Sequence, residues 1–581
     1  MQRIILYGAL TVLLAGSVAF LGLSPPAAMA KGADGGGGGN GLASLKTVPV
    51  PKPTNLATYV KNEAAAVKLG KALFWDMQAG GDGRQSCASC HSAAGADNRI
   101  RNTVNPHGVA IPPWAANAML TLDKFPITDQ RVVGSAGVIQ RAFASLDNSG
   151  GTFPADNSVA VTNPDPAFIL NGHQLRRVTG RQTPSVINSV YNFRFFWDGR
   201  ARETFNGVSP GGATTDPAIF VLKVASTGRP NPVQISIDNA SAASQAVGPA
   251  NNGTEMSWDG RSFLQLGKKM LRQVPMPLAA QMVASDDSVL GAYSNAPGRG
   301  LNIKYAQMVE DAFQDVWWNS NSCVDGNKHV FNDTGNGCPN SYTVKEANFS
   351  LFWGLAIQLY EATLIANDTP FDKGTLTVEQ LRGLQVFTNE GRCVQCHKGA
   401  ELTKASVRSV LSELPFNPAT GFFNTGQRPD AEDGGIQDVG IANRAMFKTP
   451  HLRNVELTGP YFHNGSQATL RDVVDSYNRG NDHRSNFTDS QIRPLNLSEA
   501  QKSDLVHFLM GLTDERVRYE KAPFDHPSLL IHNGVDATGV DIDNEIILPA
   551  VGAGGRGLSN ALPAFLNLTN FEQLKPSPIQ R

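Results

Sequence analysis

Two Cys-x-x-Cys-His pentapeptides, Cys87-Ala88-Ser89-Cys90-His91 and Cys393-Val394-Gln395-Cys396-His397, stand far apart in a chain that has six cysteines. In this motif the two thiols add across the vinyl groups of a haem as thioethers, and the adjacent histidine gives its imidazole to the iron. A zinc site needs four ligands, and a redox dithiol needs no histidine after its second cysteine. The same spacing used twice predicts two covalently bound haem c groups and electron-transfer chemistry, with His91 and His397 as the iron ligands.

Cys323 and Cys338 remain, in a Gly-, Asn- and Asp-rich loop where a disulfide would close a short ring; the alternative is two free thiols. An oxidising compartment favours the bridge, and the first thirty residues point to one. Arg3 precedes an apolar run from Ile4 to Leu23, which ends at Pro25-Pro26 and the small-x-small triplet Ala28-Met29-Ala30, the pattern of a cleaved export signal. The protein is therefore expected to be periplasmic or otherwise exported, without stable membrane insertion. Its 50 lysines and arginines nearly cancel 51 aspartates and glutamates, which gives no reason to expect nucleic acid as a partner.

The elements that must hold these motifs follow from periodicity. Apolar positions recur at helical spacing from Asn62 to Phe74, and Gly80-Gly81-Asp82-Gly83 breaks the pattern ahead of the first motif. Phe349–Ile365 and Leu376–Phe387 read as helices ahead of the second, and Leu470–Tyr477 and Ser498–Leu512 as helices packing after it. The fold class expected is mainly α, with two cytochrome c-like haem domains and long loop insertions. Over the 581 residues the divisions are a signal (1–30), a Gly/Pro-rich linker (31–55), an N-terminal haem domain with insertions (56–345), a C-terminal haem domain (346–520) and an extension (521–581).

Further residues carry a resemblance. Phe74-Trp75-Asp76, Gln182-Thr183-Pro184-Ser185-Val186-Ile187-Asn188, Phe196-Trp197-Asp198-Gly199-Arg200, Thr449-Pro450-His451-Leu452-Arg453-Asn454-Val455 and Thr458-Gly459-Pro460-Tyr461-Phe462-His463-Asn464-Gly465 occur in this order around the two haem motifs. The chain resembles the bacterial di-haem cytochrome c peroxidase and MauG superfamily over most of residues 60 to 520, with some likeness to the rubber oxygenase branch.

The resemblance implies a peroxidatic haem on His91 and an electron-transfer haem on His397, with Trp197 between them. It places the sixth ligand of the second haem at Tyr477, as in MauG and at the point where the ordinary peroxidases have methionine, or at His483, since the rubber oxygenase branch uses histidine in this role. It implies a calcium held by Gln182 and by the Thr458 and Pro460 carbonyls, although glutamine stands where the family has asparagine. The run after Arg200 departs from the family's glutamine and glutamate, and Asp216 is the nearest candidate for the acid-base group that peroxide cleavage needs. His107 or His173 would close the first iron at rest. The activity implied is reduction of hydrogen peroxide with electrons from a small cytochrome c or cupredoxin. The alternatives are dioxygen cleavage of a hydrophobic organic substrate, MauG-like oxidation of a partner protein, and a non-enzymatic electron-transfer cytochrome. A dimer fits the resemblance.

Overall fold

In the computed structural model, the described residues are 41–576 without 108–115, 148–150, 332–336, 439 and 536–543. The expected signal, and the glycines that follow it up to Gly39, lie outside them.

Helix α1 (Glu63–Trp75) starts where the Asn62 side chain accepts a 3.1 Å hydrogen bond from the Ala65 amide, and it stops at Asp76, which caps the next turn. α2 (Ala88–His91) is the single turn that carries the first motif. α3 (Phe349–Glu361) is buried along its whole length and lies against α1, so closely that a Cβ on Gly70 would sit 1.9 Å from the Ala356 carbonyl oxygen. α4 (Val378–Thr388) and α6 (Glu499–Met510) each open on a capping box, Thr377 with Gln380 and Ser498 with Gln501; between them in sequence lies α5 (Leu470–Asn478). α4 and α6 meet in the same manner as α1 and α3: a Cβ on Gly383 would fall 1.9 Å from the Asp504 carbonyl oxygen. In both halves a glycine in the helix ahead of the haem motif allows backbone-to-backbone approach of a second helix.

Two main cores result. The first gathers α1 and α3 with Phe205, Met256, Tyr305 and Phe313, and the second gathers α4, α5 and α6 through Phe387, Leu470, Val474 and Phe508. α3 was expected to open the second haem domain, but its all-round apolar surface is consumed by the first core. α3 thus follows the 345/346 division in the chain but packs with elements that precede it. Part of the expected linker also packs: Leu45 is buried, and its amide and the Ser44 hydroxyl donate to Asp372.

Strands are short. β1 (Val221–Val224) and β2 (Pro230–Val233) form a hairpin in the insertion that follows Arg200. β3 (Cys323–Val324) lies between β4 (Val330–Phe331) and β5 (Tyr342–Thr343), and Cys323 is disulfide-bonded to Cys338 across Cα atoms 5.6 Å apart. The C-terminal extension returns to the first core: β6 (Leu529–His532) pairs with β7 (Glu545–Leu548), and Phe524, Leu529 and Leu562 pack there. Among the described residues no helix is long and apolar enough to cross a membrane.

Candidate di-haem site

The first motif opens onto a cavity of about 760 Å³, which Cys87, Cys90 and His91 line together with Trp197, Glu361 and His451. The chain turns back immediately after the motif, at Gly95, whose φ of +75° and contact with the Ser185 hydroxyl exclude a side chain. Its carbonyl lies 2.8 Å from His91 Nδ1. A carbonyl can only accept, so Nδ1 carries the proton and Nε2 is left for a metal. Burial lowers the His91 pKa, which favours the neutral, metal-ligating ring, and burial pushes the Cys90 thiol up to about 11. Cys87 and Cys90 are unpaired. A dithiol pair and an imidazole with one nitrogen free, on the wall of a cavity this large, fit a haem c.

The second motif repeats the arrangement. Cys393–Gln395 form one 3-10 turn, His397 Nδ1 is 3.3 Å from the Leu402 carbonyl, and burial lowers the His397 pKa to about 4. Cys393 and Cys396 are unpaired, and burial pushes both up to about 12.

One segment joins the two sites. Lys448 and His451 line the first cavity, while the Pro450 carbonyl between them faces His397 and the Thr403 hydroxyl donates to the Thr449 carbonyl at 2.6 Å. Trp197 sits against this segment. Its carbonyl accepts from the Lys448 amide at 2.8 Å, and its indole Nε1 donates to the Gln182 carbonyl at 2.8 Å. The His463 ring meets Trp197 edge-on at 6.4 Å and stacks on Phe447 at 3.7 Å. Arg181, over Phe447, is held by Asp198 and Asp433, each at 2.7 Å.

A sequence profile of the di-haem cytochrome c peroxidases matches residues 64–379, more than half of the chain. The chain belongs to the di-haem cytochrome c peroxidase family. Among curated family relatives, cytochrome-c peroxidase IdrP1 of Denitromonas iodatirespirans is 32% identical over 183 residues, 27% of this chain and 48% of that protein. The methylamine utilization protein MauG of Methylorubrum extorquens is 27% identical over 271 residues, 45% of this chain and 62% of that protein. The matched stretches thus span about half to three fifths of these relatives. Among solved structures, a MauG-like protein associated with microbial copper homeostasis aligns over 82% of this chain and 97% of its own, with 18% identity and a TM-score of 0.45.

Against this family frame the distal side needs correction. Asp216 is exposed, caps a turn by accepting from the Ala218 amide at 2.9 Å, and is not among the residues that line the cavity. Gln245 and Glu255 are. Desolvation raises the Glu255 pKa, partly offset by the nearby Arg200 guanidinium. Both follow Phe196-Trp197-Asp198-Gly199-Arg200 in the chain, with the hairpin β1–β2 lying between that segment and Gln245. Glu361, in the cavity wall on the last turn of α3, carried no sequence signal beyond its helix.

Of the two histidines considered for the first iron, His107 lines the cavity with a left-handed backbone (φ 47°). His173 is exposed on a separate hairpin and is not among the lining residues. At the second site, burial pushes the Tyr477 phenol up and the nearby Cys396 and Cys393 add to the effect, whereas burial lowers the His483 pKa and its charged neighbours are Arg428 and Glu432. Tyr477 is thus the candidate that faces the second motif. Gln182, Thr458 and Pro460 share the wall of the first cavity, and the Gln182 amide nitrogen is buried there without a hydrogen-bond partner; a cation would require the amide to present its oxygen instead.

Proposed function

We propose that this protein reduces hydrogen peroxide at the His91 site, with electrons delivered through the His397 site. The observation that carries this reading is the meeting of a haem-binding triad, Cys87, Cys90 and His91, with Gln245 and Glu255 in one cavity. Bound haem supplies an iron centre that takes up peroxide and exchanges single electrons. The chain supplies the rest. Glu255 would take a proton from one peroxide oxygen and deliver it to the other as the O–O bond breaks, a role suited to a carboxyl whose pKa burial has raised. Gln245 orients the peroxide through its amide. Two electrons and two protons convert each peroxide to two waters, the electrons arriving from a reduced small cytochrome c or cupredoxin.

Trp197 and the segment Lys448–His451 provide packed, hydrogen-bonded atoms between the two sites and so serve as the electron route. Tyr477 would supply the further ligand to the second iron, and Gln182 with Thr458 and Pro460 would hold a calcium. The disulfide between Cys323 and Cys338 supports function outside the reducing cytoplasm.

The test is stopped-flow mixing of peroxide with the as-isolated and half-reduced holoprotein, followed by a reduced small cytochrome. Spectral change at one haem and rapid oxidation of the cytochrome are expected. An inert spectrum toward peroxide, with dioxygen uptake on adding a polyisoprenoid, would replace this reading by an oxygenase.

A further inference from the structure

The side of His91 turned toward α1 carries an aromatic cluster that the peroxide reaction does not use. The Phe74 ring lies 6.2 Å from the His91 ring, 6.1 Å from Trp75 and 5.5 Å from Tyr360. Trp75 Nε1 donates to the Tyr360 hydroxyl at 3.0 Å, and the Trp75 ring stacks on His526 at 4.6 Å with the planes 9° apart. These side chains surround a cavity of about 40 Å³ that His91 also lines. Tyr360 belongs to α3, whereas His526 comes from the C-terminal extension, outside the part of the chain matched by the family profile.

His526 is held in place by what precedes it. Asp525 accepts from buried Lys71 on α1, at 3.3 Å, and from the Ser288 amide and hydroxyl, both at 2.6 Å. Nδ1 of His526 donates to the Pro527 carbonyl at 2.8 Å, and its Nε2 lies 3.1 Å from the Glu520 carboxylate, which also pairs with Arg556. Packing alone would be served by any apolar ring. The arrangement here is instead an indole with its N–H engaged, stacked on an imidazole that stands beside a carboxylate. The Glu520 carboxylate favours positive charge on the stacked rings, an effect that its Arg556 partner reduces but does not abolish at the imidazole side.

We propose that Trp75 is a redox-active side chain that yields an electron to the His91 site when peroxide arrives and no reduced donor is present. The proposal rests on the peroxidase reading above. Reduction of one peroxide to two waters takes two electrons and two protons. In the proposed step one of those electrons leaves the Trp75 indole, and the resulting radical cation keeps its Nε1 proton in the bond to Tyr360. A reduced donor refills the hole. Without one, a second electron leaves, water adds to the ring, two protons are released and hydroxytryptophan remains. Trp75, backed by His526 of the extension, thereby receives oxidising equivalents that would otherwise destroy the haem.

The test uses the full-length holoprotein mixed with hydrogen peroxide in the absence of donor. Freeze-quench EPR of protein grown with deuterated tryptophan should show a radical signal that narrows relative to unlabelled protein, and peptide mass spectrometry should find an added oxygen on Trp75. W75F should lose the signal and bleach its haem several-fold sooner, and H526A should shorten the radical lifetime. If peroxide changes the haem spectrum of the wild-type protein while Trp75 gives neither radical nor oxygen adduct, the proposal is overturned and the peroxidase reading stands. If the haem spectrum does not respond to peroxide at all, both fall together.

Discussion

Ser189 donates a 3.0 Å hydrogen bond to the Glu361 carboxyl inside the wall of the His91 cavity, where Glu361 is 1% exposed. Desolvation pushes the Glu361 pKa up to about 8, against the opposing pull of that hydrogen bond. In the unfolded chain the group ionises near 4.5, so between about 4.5 and about 8 the folded state holds a proton that the unfolded state has lost. Stability contributed by this site therefore falls as pH rises through that window and levels above it. Glu361→Gln removes the slope, with a difference on the order of 5 kcal/mol across the window. Unfolding midpoints of both proteins at a series of pH values check this; parallel curves would show that Glu361 is ionised in the fold.

Glu255, and not Asp216, is expected to govern the reaction with peroxide. Loss of a positioned acid-base group costs roughly a hundredfold to ten-thousandfold in rate. Glu255→Gln should slow peroxide consumption within that range while leaving the haem content unchanged, and Asp216→Asn, on an exposed turn, should leave the rate as it was. Equal rates for the two variants in stopped-flow mixing would remove Glu255 from the role.

This pair also shows what the sequence could carry. Both haem triads were legible, because covalent attachment demands fixed local spacing. The helices Glu63–Trp75, Val378–Thr388, Leu470–Asn478 and Glu499–Met510 each fall within two residues of their periodicity. Glu255 was not legible, because its place in the cavity depends on an insertion folding out of the way as the hairpin β1–β2. α3 was legible as a helix but not as a member of the first core, since a helix apolar all round does not announce which neighbour buries it. The extension offered no pattern, because its purchase on the first core runs through scattered apolar residues, Phe524, Leu529 and Leu562, and the buried pair of Asp525 with Lys71.

Tyr477 and His483 can be separated by potential. A thioether ligand favours reduced iron relative to a phenolate or imidazole. Tyr477→Met should raise the midpoint potential of the second haem by a sizeable part of the ~0.8 V that axial ligands span, and His483→Ala should leave it in place. Spectroelectrochemical titration of each holoprotein decides the matter, and a shift confined to the His483 variant would reverse the assignment.

Arg453 and Asp372 form an ion pair, 2.7 Å long, whose side chains are 1% and 0% exposed. The same arginine donates to the Ala400 carbonyl, three residues after His397, and the same aspartate accepts from the Leu45 amide and the Ser44 hydroxyl. The pair therefore ties the N-terminal segment, α4's approach and the second haem loop to one point. Arg453→Met leaves the Asp372 charge buried without its partner, which costs about 3 to 5 kcal/mol. Arg453→Lys cannot make the forked contact and should recover little of that loss. Removing both charges together, in Asp372→Asn with Arg453→Met, should be milder than Arg453→Met alone, because no ion is then stranded. Unfolding curves for the three variants measure this ordering, and a double variant no more stable than the single one would show that the hydrogen bonds to Ala400 and Leu45, rather than the charge pairing, hold the loop.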